Sequence, residues 1–212
     1  MNVLRSEPSP IIIIGSYVYK FASPGELLIE RQWIAVSELF KIFNAQNFDE
    51  VYHLEVPNCQ FTEFFMRTEF LGPTVLNTTV DLCKLYETML QFGRLFAEDG
   101  RTFSLGDFQL RNLYSDKHTI RALDLGEKTL TSVNVYYDRA RFLLHLVDLE
   151  EYVKAMELFA NDDDRIEILV EMRKRAKYLV SKRIRGRKVA SALFRYFNFQ
   201  VWVYRYVYHR SR

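Results

Sequence analysis

The chain has 212 residues, 49% of them hydrophobic and 26% charged, with a formal net charge of +2. This balance excludes a disordered chain, a collagen-like repeat and a disulfide scaffold, and eight Gly with five Pro leave little room for linkers. One or two domains are expected, with roughly 70% of the unfolded surface available for burial.

In chain order, Val3–Arg5, Ile11–Ile14 and Tyr17–Phe21 read as short strands, β-branched and aromatic, and the Gly15-Ser16 turn joins the last two as a hairpin. Ser23-Pro24-Gly25-Glu26 has the cap, first-turn proline and early acid of a helix start. The following residues place Leu27, Leu28, Trp33, Ile34, Leu39 and Phe40 at helical steps. Val51–Val56 and Phe61–Glu69 read as a strand pair about a Pro57-Asn58 turn. After Leu71-Gly72-Pro73 the pattern becomes helical: Thr79–Glu98 is periodic, and Asp99-Gly100 is expected to close it. Arg101–Leu125 is short strands and loops. Asp138–Leu149, Tyr152–Ala160 and Ile166–Ser181 read as helices. In Phe194–Tyr208 composition favours a strand and position favours a helix.

The small net charge hides an asymmetry. Residues 165–212 carry fourteen Lys or Arg against two Glu, a net of +12, and the remaining residues carry fifteen against twenty-five, a net of −10. A basic, aromatic end on an acidic body fits either a polyanion partner or docking of the basic segment on the body itself. Cys59 and Cys83 form no C-x-x-C pair, and with four scattered His they match no zinc pattern, so two reduced thiols in a cytoplasmic protein are expected. The N-terminus lacks the charge order and apolar length of a signal peptide. No stretch approaches the roughly 18 apolar residues that span a bilayer. The run from Val189 to Tyr208 comes nearest, but Arg195, Gln200 and Arg205 interrupt it.

The chemistry-bearing segment is Ser104-Leu-Gly-Asp-Phe-Gln-Leu-Arg-Asn112, followed by Ile120-Arg-Ala-Leu-Asp124-Leu-Gly126-Glu127. Asp107 and Asn112 are five residues apart, and Asp124 follows Asp107 by seventeen. Phosphoryl transfer needs such a set: a carboxylate to accept the acceptor hydroxyl's proton, and an amide and a second carboxylate to hold the metal on the phosphates.

These motifs resemble the protein-kinase-like superfamily, in its atypical small-molecule branch: lipopolysaccharide (Kdo and heptose) kinases, aminoglycoside phosphotransferases and Rio-type kinases. Gly106-Asp107 to Asn112 is similar to their catalytic loop, Asp124-Leu125-Gly126 to their metal motif, and Phe92–Gly100 to the helix that leads into them. The resemblance covers about residues 3–150. It implies an α+β, two-lobe kinase-like fold, with a reduced N-terminal sheet lobe at 1–71. A helical lobe at 72–164 would carry the catalytic and metal loops, and 165–212 would be its basic, aromatic extension.

It further implies ATP and Mg²⁺ as cofactors. Lys20 is similar to the phosphate-binding strand lysine, with Glu30 as its ion-pair partner. Met66–Pro73 resembles the hinge, so that Glu69 and Leu71 would offer backbone groups to adenine. Asp107 would be the base or hydroxyl-orienting group, Asn112 and Asp124 the metal ligands, and Asp138 a support of the catalytic loop.

The chain departs from the family in several places. No glycine precedes Gly15, and Ser6-Glu-Pro-Ser-Pro10 stands where the glycine-rich loop would be, its prolines removing two N–H donors. Leu105 replaces the usual histidine. Gln109 stands where protein kinases have a lysine, and Arg111 is the candidate to replace that charge. Residues 127–138 leave almost no activation segment. A protein substrate therefore has no platform, and a small-molecule or surface-glycan hydroxyl, of the lipopolysaccharide-core type, is the expected acceptor. A Rio-type or tRNA-associated kinase and a pseudokinase binding module are the alternatives. The expected location is cytoplasmic, with peripheral contact at the inner face of the membrane through 173–212, and nucleic acid is the less favoured polyanion.

Overall fold

The computed structural model describes residues 2–5, 11–21, 32–71, 80–106, 108–122, 130–181 and 187–209, with side chains at all of these except 2–5, 111, 187–189 and 206–209. The chain forms two compact units: residues 1–95 with 103–132, and residues 96–102 with 133–212.

The first unit holds a five-stranded sheet of order β1-β2-β3-β6-β5. Its strands are β1 (Asn2–Arg5), β2 (Ile11–Ile14), β3 (Tyr17–Phe21), β5 (Cys59–Phe61) and β6 (Phe65–Glu69). The β2–β3 hairpin forms as the sequence predicts, Ile14 pairing with Tyr17 around Gly15 at φ +58°. The expected pairing of Val51–Val56 with Phe61–Glu69 does not form. β6 pairs instead with β5 and β3, and its turn is Thr62–Phe64 rather than Pro57-Asn58. Thr62 makes that turn: its Oγ1 accepts from the N–H groups of Phe64 and Phe65 at 3.2 and 3.0 Å.

The strand β4 (His53–Glu55) goes elsewhere. It runs parallel to β9 (Thr119–Ala122) in a three-stranded sheet of order β4-β9-β8, where β8 is Leu113–Ser115. Tertiary bonds hold it there. The Asn44 side chain makes two 2.9 Å hydrogen bonds to the backbone of Leu54, donating to its carbonyl and accepting from its N–H. Asn44 ends α1 (Trp33–Asn44), which buries Trp33, Val36, Phe40 and Phe43. The start expected at Ser23 lies outside the described residues. Asn44→Ala should cost about 2 kcal/mol in urea unfolding, because it orphans a donor and an acceptor on a buried strand residue.

The helix α2 (Leu82–Leu95) is capped by Asp81, whose Oδ1 accepts from the N–H groups of Cys83 and Lys84. Its Phe92 ring meets Phe40 and Phe43 at 6.1 and 5.7 Å. Asp99-Gly100 does not close this helix. Both residues have positive φ, +49° and +72°, and Glu98 and Arg101 exchange backbone hydrogen bonds across them. They form a tight hairpin turn into β7 (Arg101–Phe103), which pairs with β10 (Ser132–Asn134).

The second unit is helical: α3 (Tyr137–Asp148), α4 (Tyr152–Asn161), α5 (Arg165–Ser181) and α6 (Arg187–His209). The helix α3 packs against the other three. The ambiguous C-terminal run is helix, because Ala192, Tyr196 and Phe199 recur at steps of four and three and bury. Phe199 meets Phe159 of α4 edge-on at 5.3 Å. No described helix is long and apolar enough to cross a membrane. Neither Cys59 nor Cys83 is in a disulfide, and the Cys59 thiol donates to the Pro57 carbonyl at 3.1 Å.

Candidate active site

The candidate catalytic segment is built from its buried residues outward. Leu105, Phe108, Leu110 and Leu113 are buried, so the alternate polar positions are carried on a fixed apolar base. Leu105 therefore fills core space. Gly106 sits at φ +76°, a conformation that favours glycine, and its N–H donates to the Ser104 hydroxyl at 2.9 Å. Leu110–Asn112 is one 3₁₀ turn, with the Asn112 N–H donating to Gln109 at 2.7 Å. Asn112 is half-buried at the end of that turn. Asp107 and Asp124 lie outside the described residues, as does Glu30, and the Arg111 side chain is also outside them.

The described residues that flank the Asp107 and Asp124 segments are joined to one another. The β8–β9 hairpin pairs Leu113 with Ala122. The residue after Asn112 is thus opposite the residue two before Asp124. At the other end, Ser104 donates its N–H to Thr131 at 3.1 Å and accepts from Leu130 at 3.0 Å. The segment holding Asp107 to Asn112 and the segment holding Asp124 therefore begin and end against each other. Parallel pairing of β9 with β4 carries this hairpin, and Arg121 clips the pair by donating to Glu55 at 2.9 Å. That hydrogen bond, more than neighbouring charge, raises the Arg121 pKa above its ordinary value against the opposing effect of burial.

Lys20 lies on the central strand β3, half-buried, directly across from Met66 on β6. Met66 is buried, and Thr68, two residues on and across from Val18, is buried too. Paired residues share a face, so Lys20 projects from the inner face of the sheet and not from the solvent face. The other face carries Tyr19, Phe21 and Phe65 in ring contact, and Arg67 over the Tyr17 ring at 4.6 Å. Glu69 is exposed at the end of β6, and Leu71 is half-buried. Between them the Phe70 N–H donates to Ser16 at 2.9 Å, tying the strand exit to the β2–β3 turn.

Sequence reasoning missed Thr68. Its hydroxyl is buried on the Lys20 face and has no hydrogen-bond partner among the described residues. The signal was the alternation in Phe65-Met66-Arg67-Thr68, which puts Met66 and Thr68 on one face. An unpaired buried hydroxyl costs stability, so Thr68→Val should raise stability by about 1 kcal/mol in urea unfolding of the free protein.

Asp138 lies in the first turn of α3 and is half-buried. No group of three His, Cys, Asp or Glu that would hold a metal occurs among the described residues.

No protein-family model matches the sequence, and no curated protein matches it. Among solved structures, the chain is similar to a choline/ethanolamine kinase family protein from Mesorhizobium loti, with a TM-score of 0.50 and 8% identity over 95% of this chain and 87% of that one. At that identity the likeness concerns the fold: an α+β, kinase-like architecture spanning nearly the whole of both chains.

Proposed function

We propose that the chain is an ATP-dependent phosphotransferase acting on an alcohol hydroxyl of a small molecule. One observation carries the reading: the loop holding Asp107 and Asn112 and the segment holding Asp124 are joined at both ends, by Ser104 to Leu130 and Thr131 and by Leu113 to Ala122. The sequence sets Asp107 and Asn112 in one of these segments and Asp124 in the other, two carboxylates and an amide of the kind that phosphoryl transfer uses. The kinase-like fold supports the same reading.

In this reading Asp107 accepts or orients the proton of the acceptor hydroxyl, and Arg111 sets positive charge toward the transferred phosphoryl group. Lys20, ion-paired with Glu30, positions the phosphates from the inner face of the sheet. Phe70 spends its N–H on Ser16, so Glu69 and Leu71 present the backbone groups for the adenine edge. Asn112 and Asp124 offer only oxygen donors, which suit a hard cation such as Mg²⁺. When bound there, Mg²⁺ neutralises charge on the phosphates. Residues 1–71 are then the nucleotide side, 72–164 carry the loops, and 165–212 extend the second lobe.

The preferred acceptor is a sugar hydroxyl of a surface glycan. The fold neighbour's name adds choline and ethanolamine to the candidates. The test is ATP turnover with Mg²⁺ against amino alcohols, aminoglycosides and lipopolysaccharide-core sugars. Acceptor-dependent ADP release establishes the reading. No turnover together with no ATP-dependent rise in melting temperature overturns it in favour of a binding module that retains the fold.

A further inference from the structure

The helix α6 is two-faced. Ala192, Tyr196 and Phe199 are buried, whereas Phe194, Phe197, Val201 and Tyr204 are 66, 57, 51 and 61% exposed. The exposed four recur at steps of three, four and three, so they form one stripe along about 15 Å of helix. The stripe continues into a groove of about 650 Å³ between α5 and α6, whose apolar lining includes Ala176, Val180, Leu193 and Phe197. Arg173 and Lys177 stand at its edge, exposed, and neither has an ion-pair partner among the described residues. Other cations nearby are engaged: Lys174 with Glu171 at 3.0 Å, and Arg195 with Asp148. In the sequence Lys182, Arg183 and Arg185 fall between the two helices, and Arg187 and Lys188 open α6.

We propose that this α5–α6 face docks on an anionic phospholipid bilayer, lying in the interface and not crossing it. Charge and shape select this occupant. A segment of net charge +12 is drawn to an anionic surface, and each cation near such a surface contributes about 1 kcal/mol. The apolar stripe supplies the burial that charge alone does not, and Phe and Tyr suit the boundary between headgroup and acyl chain. A second copy of the chain would bring two such basic segments together, and like charge opposes that. A single-stranded nucleic acid would stack on Phe194, Phe197 and Tyr204 but would leave the aliphatic Ala176, Val180, Leu193 and Val201 without apolar cover, which acyl chains supply.

The proposal is independent of catalysis. The full chain is sedimented with vesicles of phosphatidylcholine alone and of equimolar phosphatidylcholine and phosphatidylglycerol, at low and high salt. Phe194→Ser/Phe197→Ser and Arg173→Glu/Lys177→Glu are compared with wild type after circular dichroism confirms the fold. Binding to anionic vesicles at least about tenfold tighter than to neutral ones, and weakened about tenfold by salt and by each double variant, supports the proposal. Hydrogen exchange on the wild-type chain gives a reading independent of the variants, with vesicle-dependent protection expected across 173–181 and 193–204. Equal binding to neutral vesicles, no binding, or no such protection overturns it. So does a concentration-dependent dimer abolished by the Phe pair, or RNA that displaces the vesicles.

Discussion

Asp107→Ala should abolish measurable phosphoryl transfer, lowering turnover by about a thousandfold or more, while leaving the fold in place. The magnitude follows from the role. A positioned base contributes roughly 10²–10⁴ in rate, and here the same side chain also orients the acceptor. The fold should survive because the segment is held by its neighbours. Leu105, Phe108, Leu110 and Leu113 are buried, and Ser104 is anchored by three hydrogen bonds, to Gly106, Leu130 and Thr131. Asp124→Ala should be as damaging to turnover, and should also remove the Mg²⁺ dependence of any ATP-induced rise in melting temperature. Asp107→Ala should leave that rise intact. This split separates a proton-handling residue from a metal-binding one. Equal turnover in wild type and both variants would show that the observed hydrolysis comes from elsewhere.

Arg139→Met should destabilise the helical unit by about 3–5 kcal/mol, read by urea unfolding followed by circular dichroism. Arg139 lies on α3 and is almost fully buried. Its guanidinium donates to Asp162 at 2.5 Å and to Asp164 at 3.1 Å. Asp162 directly follows α4 and is itself buried, and its Oδ1 accepts from the Asp164 N–H at 2.8 Å. The carbonyl of Asp164 accepts the first helical bond of α5, from Ile168. One guanidinium thus ties the end of α4 and the start of α5 to α3. The Tyr136 ring packs under it at 5.4 Å, and burial, more than the nearby aspartates, raises the pKa of that phenol. Removing the cation leaves a buried carboxylate uncompensated, which costs more than the pair itself contributes. Arg139→Met combined with Asp162→Leu should recover much of the loss, since it removes the two fully buried charges together and leaves only the half-buried Asp164. A double variant no more stable than the single one would mean that helix-end geometry, and not charge, dominates.

The run Asp162-Asp163-Asp164 takes its role from the fold and not from its spacing along the chain. In the sequence it is a short acidic patch with no evident use. In the fold its first and third members hold a buried arginine 23 and 25 residues away. The partner of a buried charge is a long-range property, and spacing along the chain does not contain it.

The sequence by itself determined the elements whose signal is local. The β2–β3 hairpin, α2 and the helices α3 to α5 formed within a few residues of where periodicity and turn chemistry placed them, because side-chain period and turn residues act over one or two turns of chain. The candidate segment stands out in the sequence for a related reason: Asp107, Asn112 and Asp124 are few, polar and spaced among apolar residues. Tertiary structure decided the rest. It gave β4 a parallel partner more than sixty residues away, because Asn44 and the Glu55–Arg121 pair hold it there. It turned Asp99-Gly100 from a helix end into a hairpin turn, and made the aromatic C-terminal run a helix, because Tyr196 and Phe199 found a core to bury in. It also set Lys20 and Thr68 on the inner face of the sheet. A strand alternates its side chains whichever face is inside, and only packing of the sheet against the rest of its unit chooses the face.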